Sequence, residues 1–196
     1  MKKETVYKVF SQMPTLKTKR LTLRPMHPID AEDMFDYARR DEVTKYLLWS
    51  SHKNISYTKD YLNYIQNRYA LGDFYDWAVI DRESRRMIGT CGFTKIDTAN
   101  NSAEIGYVLN PDFWGMGFAP EAVRKILEFG FGELGLHRIE ARFMKDNKRS
   151  FRVMEKVGMT LEGYHKDLIF VKGSYRTVGV CAITEDEYKQ AEQLKE

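Results

Sequence analysis

Short runs of alternating hydrophobic and polar residues recur along the chain, and this period of two is the pattern of half-buried β-strands. The runs occupy residues 18–26, 76–82, 87–97, 102–110, 137–145, 160–173 and 174–185. The three runs between 76 and 110 follow one another across short polar links, which predicts an antiparallel meander of hairpins. The last two runs predict a further hairpin.

Apolar residues spaced three and four positions apart mark helices between these runs. The helical segments are residues 31–40, 56–72, the stretch that follows Pro120, 148–158 and 185–196. Asp30 is expected to cap the first helix, and Gly72 to close the second. The first helix is predicted to turn Met34, Phe35 and Ala38 toward the core.

The order of these elements predicts the fold class. It reads β-α-α-β-β-β-α-β-α-β-β, without the repeated βαβ units of a doubly wound fold. We expect an α+β protein with a mixed, mostly antiparallel central sheet of about seven strands flanked by helices. No linker rich in Pro, Gly or Ser divides the chain, so residues 1–196 are predicted to be a single domain. Within it, residues 1–17 would be an N-terminal extension and 185–196 a peripheral C-terminal helix.

Charge and composition exclude several classes of function. The 31 Lys and Arg are interspersed with 28 Asp and Glu, and without a concentrated basic patch no direct nucleic-acid binding is expected. No run approaches the ~20 apolar residues of a membrane helix, and the N-terminus lacks a signal-peptide core, so a cytoplasmic protein without a membrane partner is expected. Cys91 and Cys181 lie in apolar strand contexts and are predicted to be buried thiols, and no metal site is expected.

A glycine-rich loop is the strongest chemical signal in the sequence. The segment FWGMGFAPEA, residues 113–122, places Gly115 and Gly117 before a helix that has no Ser, Thr, Asp or Asn cap, with Pro120 at the predicted first helical position. Free amides at a helix N-terminus favour an anion. No Gly-Lys-Ser/Thr follows, as a Walker A loop requires, and the loop does not open a βαβ unit, as a dinucleotide site requires. The predicted anion is therefore the diphosphate of another cofactor.

At this loop the chain resembles the acetyl-CoA-binding motif of the GNAT N-acetyltransferases, Gln/Arg-x-x-Gly-x-Gly/Ala, which stands here as WGMGFA at residues 114–119. Residues 18–47, 103–122 and 136–163 are similar to the branch of that family that contains the ribosomal-protein N-terminal acetyltransferases. Two departures affect the loop. Trp114 takes the usual Gln/Arg position, and Pro120 removes an amide that related loops often retain.

The resemblance implies an N-acetyltransferase that moves the acetyl group of acetyl-CoA to a primary amine by direct attack in a ternary complex. The cofactor contacts that it implies are the backbone of Tyr107, Val108 and Leu109 for the pantetheine arm, the amides of Gly115, Met116, Gly117, Phe118 and Ala119 for the pyrophosphate, and Asn147 for the arm or an ordered water. Cys91 and Cys181 have no neighbouring His or basic residue in sequence, so no acyl-enzyme is expected.

Four residues are candidates for a catalytic role, with Ser150 and Glu104 first. Ser150 would protonate the departing thiolate by this resemblance, although it also suits the cap region of the following helix. Many relatives have a tyrosine acid four residues later, where this chain has Met154. Glu104 is the first candidate for the general base, and its alternative role is a surface glutamate paired across strands. His165 and Asp167 are the other candidates for the base.

The sequence leaves the acceptor open between a protein N-terminus, such as that of a ribosomal protein, and a small amine, polyamine or antibiotic. Residues 47–57 are predicted to gate the acceptor, and His52 within them is interpreted as a simple exposed histidine. Two other functions also stay open: a non-catalytic CoA-binding or sensing module, and a nucleotide or dinucleotide enzyme. The expected partners are acetyl-CoA and the amine acceptor, with a homodimer as a further alternative.

Overall fold

The computed structural model describes residues 2–194. Its helices are α1 (Lys3–Phe10), α2 (Ala31–Ala38), α3 (Asp41–Thr44), α4 (Ile55–Ala70), α5 (Phe118–Gly132), α6 (Lys148–Lys156) and α7 (Glu185–Gln193). Its strands are β1 (Leu16–Lys17), β2 (Leu21–Arg24), β3 (Tyr75–Asp81), β4 (Met87–Asp97), β5 (Ser102–Leu109), β6 (Arg138–Met144), β7 (Thr160–Val171) and β8 (Ser174–Thr184). None of the helices in this part of the chain is long and apolar enough to cross a membrane.

The strands form one sheet in the order β1-β2-β3-β4-β5-β6-β8-β7. Every neighbouring pair is antiparallel except β5 and β6, which run parallel because α5 connects them as a crossover. This confirms the predicted α+β class with a mixed, mostly antiparallel sheet, which has eight strands. The strand that the sequence pattern does not predict is β1, which is only two residues long and shows no alternation.

The central strands of the sheet are buried on both faces, and the alternation along β3 shows how. Trp77 and Val79 belong to one core cluster, together with α5 and the fully buried Phe10 of α1. Ala78 and Ile80 belong to the other cluster, beneath α2 and α4. Successive side chains of a strand point to opposite faces, so a central strand with helices on both sides is apolar throughout.

The predicted helices are present, with corrections at the start of α2 and of α5. The Asp30 side chain does not cap α2. Its carboxylate accepts a hydrogen bond from the His27 amide at 2.7 Å and pairs with Arg24 at 2.6 Å. The helix α5 begins at Phe118, so Pro120 is the third helical residue rather than the first. An amide at the third position has no partner inside the helix either, so proline costs little there.

The inward face of α2 is also corrected. Met34 and Ala38 are buried as predicted, but Tyr37 is the aromatic residue that joins them. Phe35 lies half-buried at the side of the helix, where the Arg39 guanidinium lies 5.8 Å from the centre of its ring. Tyr37 is three positions from Met34, which places the two on the same side of the helix.

The termini add elements for which the sequence shows little periodic signal. Helix α1 lies within the predicted N-terminal extension, and its Phe10 packs edge-on against Trp77 and Phe129. Helix α7 has a capping box between Thr184 and Glu187. Residue 1 and the predicted last helical residues, 195–196, lie outside the described part of the chain.

The pairing of β5 with β6 stops halfway, and this separation positions the site. The register runs from Ser102 opposite Arg138 to Ile105 opposite Ala141. Beyond that point β5 continues to Leu109 along β4, while β6 continues along β8. The two strands therefore diverge and leave unpaired backbone along the second half of β5.

Candidate active site

A cleft of about 880 Å³ opens where β5 and β6 separate. Its walls come from α3 and the loop after it, the end of β5, the loop before α5, and the start of α6. Most of the predicted site residues line it, namely Tyr107, Val108, Leu109, Gly115, Gly117, Phe118, Ala119, Asn147 and Ser150. Met116 and Glu104 were predicted with them but do not line the cleft.

The backbone of β5 presents unused hydrogen-bonding groups to this cleft. The Asn110 amide donates to the Ile88 carbonyl of β4 at 2.7 Å. Hydrogen-bonded and non-bonded pairs alternate in an antiparallel ladder, so Val108 bonds to β4 while Tyr107 and Leu109 turn their backbone groups the other way. They face the space that β6 has left. This is an open strand edge to which an extended ligand can bind.

The loop before α5 ends in free amides. Gly115 and Gly117 have φ angles of 78° and 80°, the left-handed region that favours glycine. Gly117 is the N-cap of α5 and offers no side chain. Within residues 2–194 the amides from Gly115 to Ala119 have no hydrogen-bond partner. These donors and the positive end of the helix dipole form a site for an anion.

The start of this loop is tied to α2 by polar contacts. The buried Asn110 donates through its side-chain amide to Asp36 at 3.1 Å. Arg40 donates to Asp112 at 2.7 Å and also reaches Asp36. These charged hydrogen bonds hold the turn after β5 in one place, so the glycine loop begins from a rigid support.

Trp114, which departs from the family motif, has a defined role in the structure. Its indole N–H donates to the Leu109 carbonyl at 2.8 Å, and the Arg149 guanidinium lies 4.4 Å from the centre of its ring. The tryptophan thus satisfies one of the unpaired carbonyls of β5 and orients an arginine of α6 along the cleft. Attraction between a guanidinium and an aromatic face supports this arrangement.

Arg20, which lies before β2, supports the glycine loop through side-chain contacts. The sequence pattern did not predict this role. Arg20 donates to Glu121 at 2.7 Å and to the Met116 carbonyl at 2.9 Å, and its guanidinium lies 4.2 Å from the centre of the Phe118 ring. Burial alone would raise the pKa of Glu121, but bonds from Thr18 and Arg20 outweigh it and lower that pKa. Glu121 therefore stays ionised and anchors Arg20.

Basic side chains of α6 line the side of the cleft that faces the glycine loop. They are Lys148, Arg149, Arg152 and Lys156, and Lys45 adds a further cation from the loop after α3. Three of these side chains lie in the first turns of α6, between Lys148 and Arg152. Guanidinium and ammonium groups beside free amides suit several phosphates at once.

The start of α6 brings Asn147, Ser150 and Tyr107 together. Asn147 caps the helix, because its side-chain oxygen accepts from the Ser150 amide at 3.2 Å. The Tyr107 hydroxyl lies 2.9 Å from the Ser150 carbonyl and 2.9 Å from its hydroxyl. Burial raises the pKa of Tyr107 despite the bond to Ser150, so the phenol keeps its proton. The family resemblance implies only a backbone role for Tyr107.

Met154, at the position where many relatives have a tyrosine acid, cannot act as a general acid because it has no ionisable proton. Met154 is 1% exposed and belongs to the core cluster beneath α6. Ser150 and Tyr107 supply hydroxyl groups to the cleft beside α6, and Tyr46 also lines the cleft.

Glu104 lies on β5 before the strands separate. Its carboxylate pairs with Arg142 of β6 at 3.2 Å and accepts from the Thr94 hydroxyl at 3.2 Å. Arg142 also pairs with Glu140, which is directly opposite Glu104 in the register. These contacts match the cross-strand alternative, and the base role of Glu104 stays a prediction. His165 and Asp167 are exposed on β7 and do not line the cleft.

The predicted gating loop lies beside the α3 wall of the cleft. Leu47 lines the cleft, but His52 is buried rather than exposed, and its Nδ1 lies 2.8 Å from the Thr58 hydroxyl. Burial lowers the pKa of His52. The ring packs edge-on against Tyr57, so this histidine is a structural part of the loop.

The two cysteines are buried, as predicted. Burial raises the pKa of Cys91 well above its usual range and that of Cys181 to about 11. Neither thiol is ionised at neutral pH, which argues against a covalent acyl-enzyme. Among residues 2–194 no three His, Cys, Asp or Glu side chains are grouped so as to hold a metal ion.

Comparison with known proteins gives a consistent result. Residues 20–160 match the family model described as the acetyltransferase (GNAT) domain. The uncharacterized N-acetyltransferase p20 of Bacillus licheniformis is 38% identical over 90% of this chain and 99% of that protein. The ribosomal protein uS5 alanine N-acetyltransferase of Escherichia coli is 26% identical over 88% of this chain and 92% of that enzyme.

The fold comparison agrees. The crystal structure of a GNAT-family acetyltransferase from Bacillus anthracis is 31% identical, covers 88% of this chain and 99% of its own, and superposes with a TM-score of 0.79. The family model spans the glycine loop, the diverging strands and the start of α6, which are the elements that build the cleft. The chain therefore belongs to the GNAT acetyltransferase family and is an N-acetyltransferase.

Proposed function

We propose that this enzyme transfers the acetyl group of acetyl-CoA to the N-terminal amine of a protein. One observation carries the acetyl-CoA part. The free amides of a glycine loop, the basic side of α6 and the open edge of β5 meet in a single cleft. A diphosphate attached to an extended amide arm and a thioester is a ligand that uses all three.

The residues of the cleft divide this work. The amides from Gly115 to Ala119 would hold the pyrophosphate, and Arg149 and Arg152 would neutralise further phosphate charge. The open edge at Tyr107 and Leu109 would bond to the amide arm as an added strand does. A backbone N–H at that edge would polarise the thioester carbonyl. Acetyl-CoA supplies the activated acetyl group, consistent with the family assignment.

The hydroxyl groups at the end of the arm suit the leaving group. Ser150 and Tyr107 are hydrogen-bonded to one another at 2.9 Å. A serine proton given to the thiolate can be replaced from the phenol, which is protonated at neutral pH. With both thiols buried, direct attack by the amine within a ternary complex is the mechanism that the cleft supports.

The proposal of a protein N-terminus as acceptor draws on sequence coverage. The similarity to the uS5 alanine N-acetyltransferase extends over nearly the whole of both chains. The α3 side of the cleft, with Glu42 and Leu47, lies open beside the loop at 47–57. A small amine or polyamine is the competing acceptor, and the same assay distinguishes the two.

The test is an acceptor screen read by the release of CoA thiol. The purified protein is given acetyl-CoA with peptides that begin in Ala or Ser, with spermidine, and with aminoglycosides. Mass spectrometry then locates the added acetyl group. Acetylation of the peptide α-amino groups supports the proposal. Acetylation of small amines alone would show that the acceptor is a small amine and not a protein N-terminus. Tight CoA binding without turnover of any amine would indicate a sensor, and stabilisation by NAD or ATP but not by CoA would refute the cofactor.

A further inference from the structure

Trp114 joins the end of β5, the glycine loop and the start of α6. It belongs to the loop that leads into α5, and its indole N–H donates to the Leu109 carbonyl of β5 at 2.8 Å. The Arg149 guanidinium, from the first turn of α6, lies 4.4 Å from the centre of its ring. Trp114 is half-buried and packs against both core clusters. Because close packing restricts a side chain, Trp114 is a fixed surface for the groups that contact it.

The bond to Leu109 marks where the open edge of β5 ends. The Leu109 carbonyl is the last backbone group that this strand turns toward the cleft, and the indole N–H already donates to it. The groups left for an extended ligand are therefore those of Tyr107 and the Leu109 amide. The arm of the donor would pair with this edge as far as Leu109, so it would meet Trp114 where its strand-like pairing stops.

The diphosphate site begins at the same point. Gly115 follows Trp114 directly, and its amide is the first of the free donors assigned to the diphosphate. The Arg149 guanidinium, held against the Trp114 ring, therefore lies on the side of the cleft where the arm would pass into the diphosphate. Arg152 and Lys156 also line the cleft, but they lie about one and two helical turns farther along α6. Of these three cations, Arg149 is the one that the structure ties to a residue of this loop.

Arg149 keeps its hydrogen-bonding capacity for a ligand. Among residues 2–194 no side chain or carbonyl accepts a hydrogen bond from its guanidinium, and no carboxylate pairs with it. Arg20 and Arg40, which also lie near this loop, are by contrast bonded to carboxylates. Contact with the face of an aromatic ring uses none of the five N–H donors of a guanidinium. Arg149 can therefore present two parallel N–H groups to one phosphate.

The backbone on either side of Arg149 is also fixed. The Asn147 side-chain oxygen accepts from the Ser150 amide at 3.2 Å, and the Tyr107 hydroxyl lies 2.9 Å from the Ser150 carbonyl. The freedom that remains is that of a long side chain, and the entropy lost in ordering such a side chain opposes binding. The ring of Trp114 restricts this freedom before a ligand arrives, so less of it is lost when a phosphate binds.

We propose that Trp114 is a positioning residue for the diphosphate of acetyl-CoA and acts through Arg149, which it holds at the start of the glycine loop. This role rests on the function proposed above. Trp114 itself makes no contact with phosphate, and its ring determines where the guanidinium of α6 lies. In the motif that the loop resembles, a Gln or Arg stands at this position and belongs to the loop itself. Here the tryptophan brings the polar side chain from another element.

The test measures the Kd of three ligands by isothermal titration. CoA carries the diphosphate and a 3′-phosphate, dephospho-CoA keeps only the diphosphate, and pantetheine has neither. Arg149→Ala should raise the Kd for CoA and for dephospho-CoA equally, by about tenfold, because a charge-assisted hydrogen bond is lost. The Kd for pantetheine should not change, since pantetheine ends before it reaches the guanidinium.

Two substitutions of Trp114 separate its ring from its N–H group. Trp114→Phe keeps an aromatic face for Arg149 and loses the bond to the Leu109 carbonyl, whereas Trp114→Gln keeps an amide donor and loses the ring. We expect the Kd for CoA to stay within about twofold of the wild type in Trp114→Phe and to rise about threefold in Trp114→Gln. With Arg149→Ala already present, Trp114→Gln should have no further effect on this Kd, because the ring acts through Arg149.

Arg68→Ala is the matched control. It removes the same positive charge and a similar contact, since the Arg68 guanidinium lies 5.6 Å from the centre of the Tyr64 ring on α4, outside the cleft. This variant should bind all three ligands as the wild type does. In the Trp114→Gln and Arg149→Ala variants the KM for acetyl-CoA should rise with the Kd for CoA, whereas kcat at saturating acetyl-CoA should stay at the wild-type value.

Four results would overturn the inference. An equal loss of affinity for pantetheine would show that Trp114 only supports the fold of the cleft. A loss that disappears with dephospho-CoA would assign Arg149 to the 3′-phosphate. Binding of CoA as weak in Trp114→Phe as in Trp114→Gln would assign the effect to the N–H bond and not to the ring. Additive effects of Trp114→Gln and Arg149→Ala would show that the two residues act separately. Failure of the proposed function is recognised apart from these, because the wild type itself would then bind CoA no more tightly than pantetheine and acetylate no amine.

Discussion

Replacing Arg20 with alanine tests whether the glycine loop depends on a brace from the other end of the chain. The substitution removes the bond to the Met116 carbonyl at 2.9 Å, the ion pair with Glu121 at 2.7 Å, and the guanidinium contact with Phe118 at 4.2 Å. Glu121 keeps its bonds from Thr18 and from the backbone amide of residue 20. The anchor therefore survives, and only the loop loses its support.

The magnitude follows from these contacts. The Arg20 side chain is 40% exposed, so its ion pair is worth about 0.5 kcal/mol. The bond to the Met116 carbonyl is worth about 1 kcal/mol, and the contact with the Phe118 ring about 0.5 kcal/mol. We expect the free energy of unfolding to fall by about 2 kcal/mol. The contacts with Met116 and Phe118, which hold the loop, together account for about 1.5 kcal/mol of this. Loss of that free energy from CoA binding corresponds to about a tenfold rise in the Kd for CoA.

Isothermal titration with CoA and with pantetheine measures this effect. Arg20→Ala should weaken CoA binding and leave binding of pantetheine, which has no diphosphate, unchanged. Arg82→Ala is a matched control, because Arg82 donates to the Thr18 and Lys19 carbonyls at 3.0 Å from outside the loop. A destabilised Arg20→Ala protein that binds CoA with wild-type affinity would refute the bracing role.

Substitutions at three further positions separate structure from function at the cleft. Asn147→Ala should lower the free energy of unfolding by about 1 kcal/mol through loss of the α6 cap, whereas Asn147→Asp should keep the cap and weaken only CoA binding. Equal loss of stability in the two variants, measured by urea unfolding, would contradict this. Gly117→Ala should cost about 1–2 kcal/mol, because φ is 80° there, and Gly117→Glu should abolish CoA binding by calorimetry. An unchanged Kd in the glutamate variant would end the anion assignment of the loop. Tyr107→Phe should reduce kcat about tenfold at constant Kd for CoA, since Ser150 loses its hydroxyl partner. A wild-type kcat would show that Ser150 acts without the phenol.

The main features of the fold follow from local patterns. The meander of β3, β4 and β5 is predictable because alternation and short links are properties of neighbouring residues. The glycine loop is also local, since two glycines and a missing cap predict an anion site wherever the loop lies. The sequence-based predictions are wrong where one side chain has several possible hydrogen-bond partners of similar strength. Asp30 is a residue type that often caps helices, but its carboxylate is bonded instead to Arg24 and to the His27 amide.

The candidate site was predictable only in part, for the same reason. Asn147 and Ser150 lie three positions apart in sequence, so their contact is visible as a capping pattern. Tyr107 and Ser150 are 43 positions apart and meet because β5 and β6 diverge in front of α6. No spacing rule gives that distance, because it depends on where the pairing of two strands ends.

Local patterns in the chain predict most of the strands and helices, the sheet class, the phosphate loop and, through resemblance, the acetyl-CoA chemistry. These depend on periodicity, on glycine and on short motifs, which act within a few residues. Only the tertiary structure showed that Arg20 holds the loop, that Trp114 orients Arg149, and that Glu104 is paired with Arg142 outside the cleft. Such contacts depend on how distant segments of the chain come together. For Glu104 they depend on strand register, since a shift of one residue would turn its side chain to the other face of the sheet.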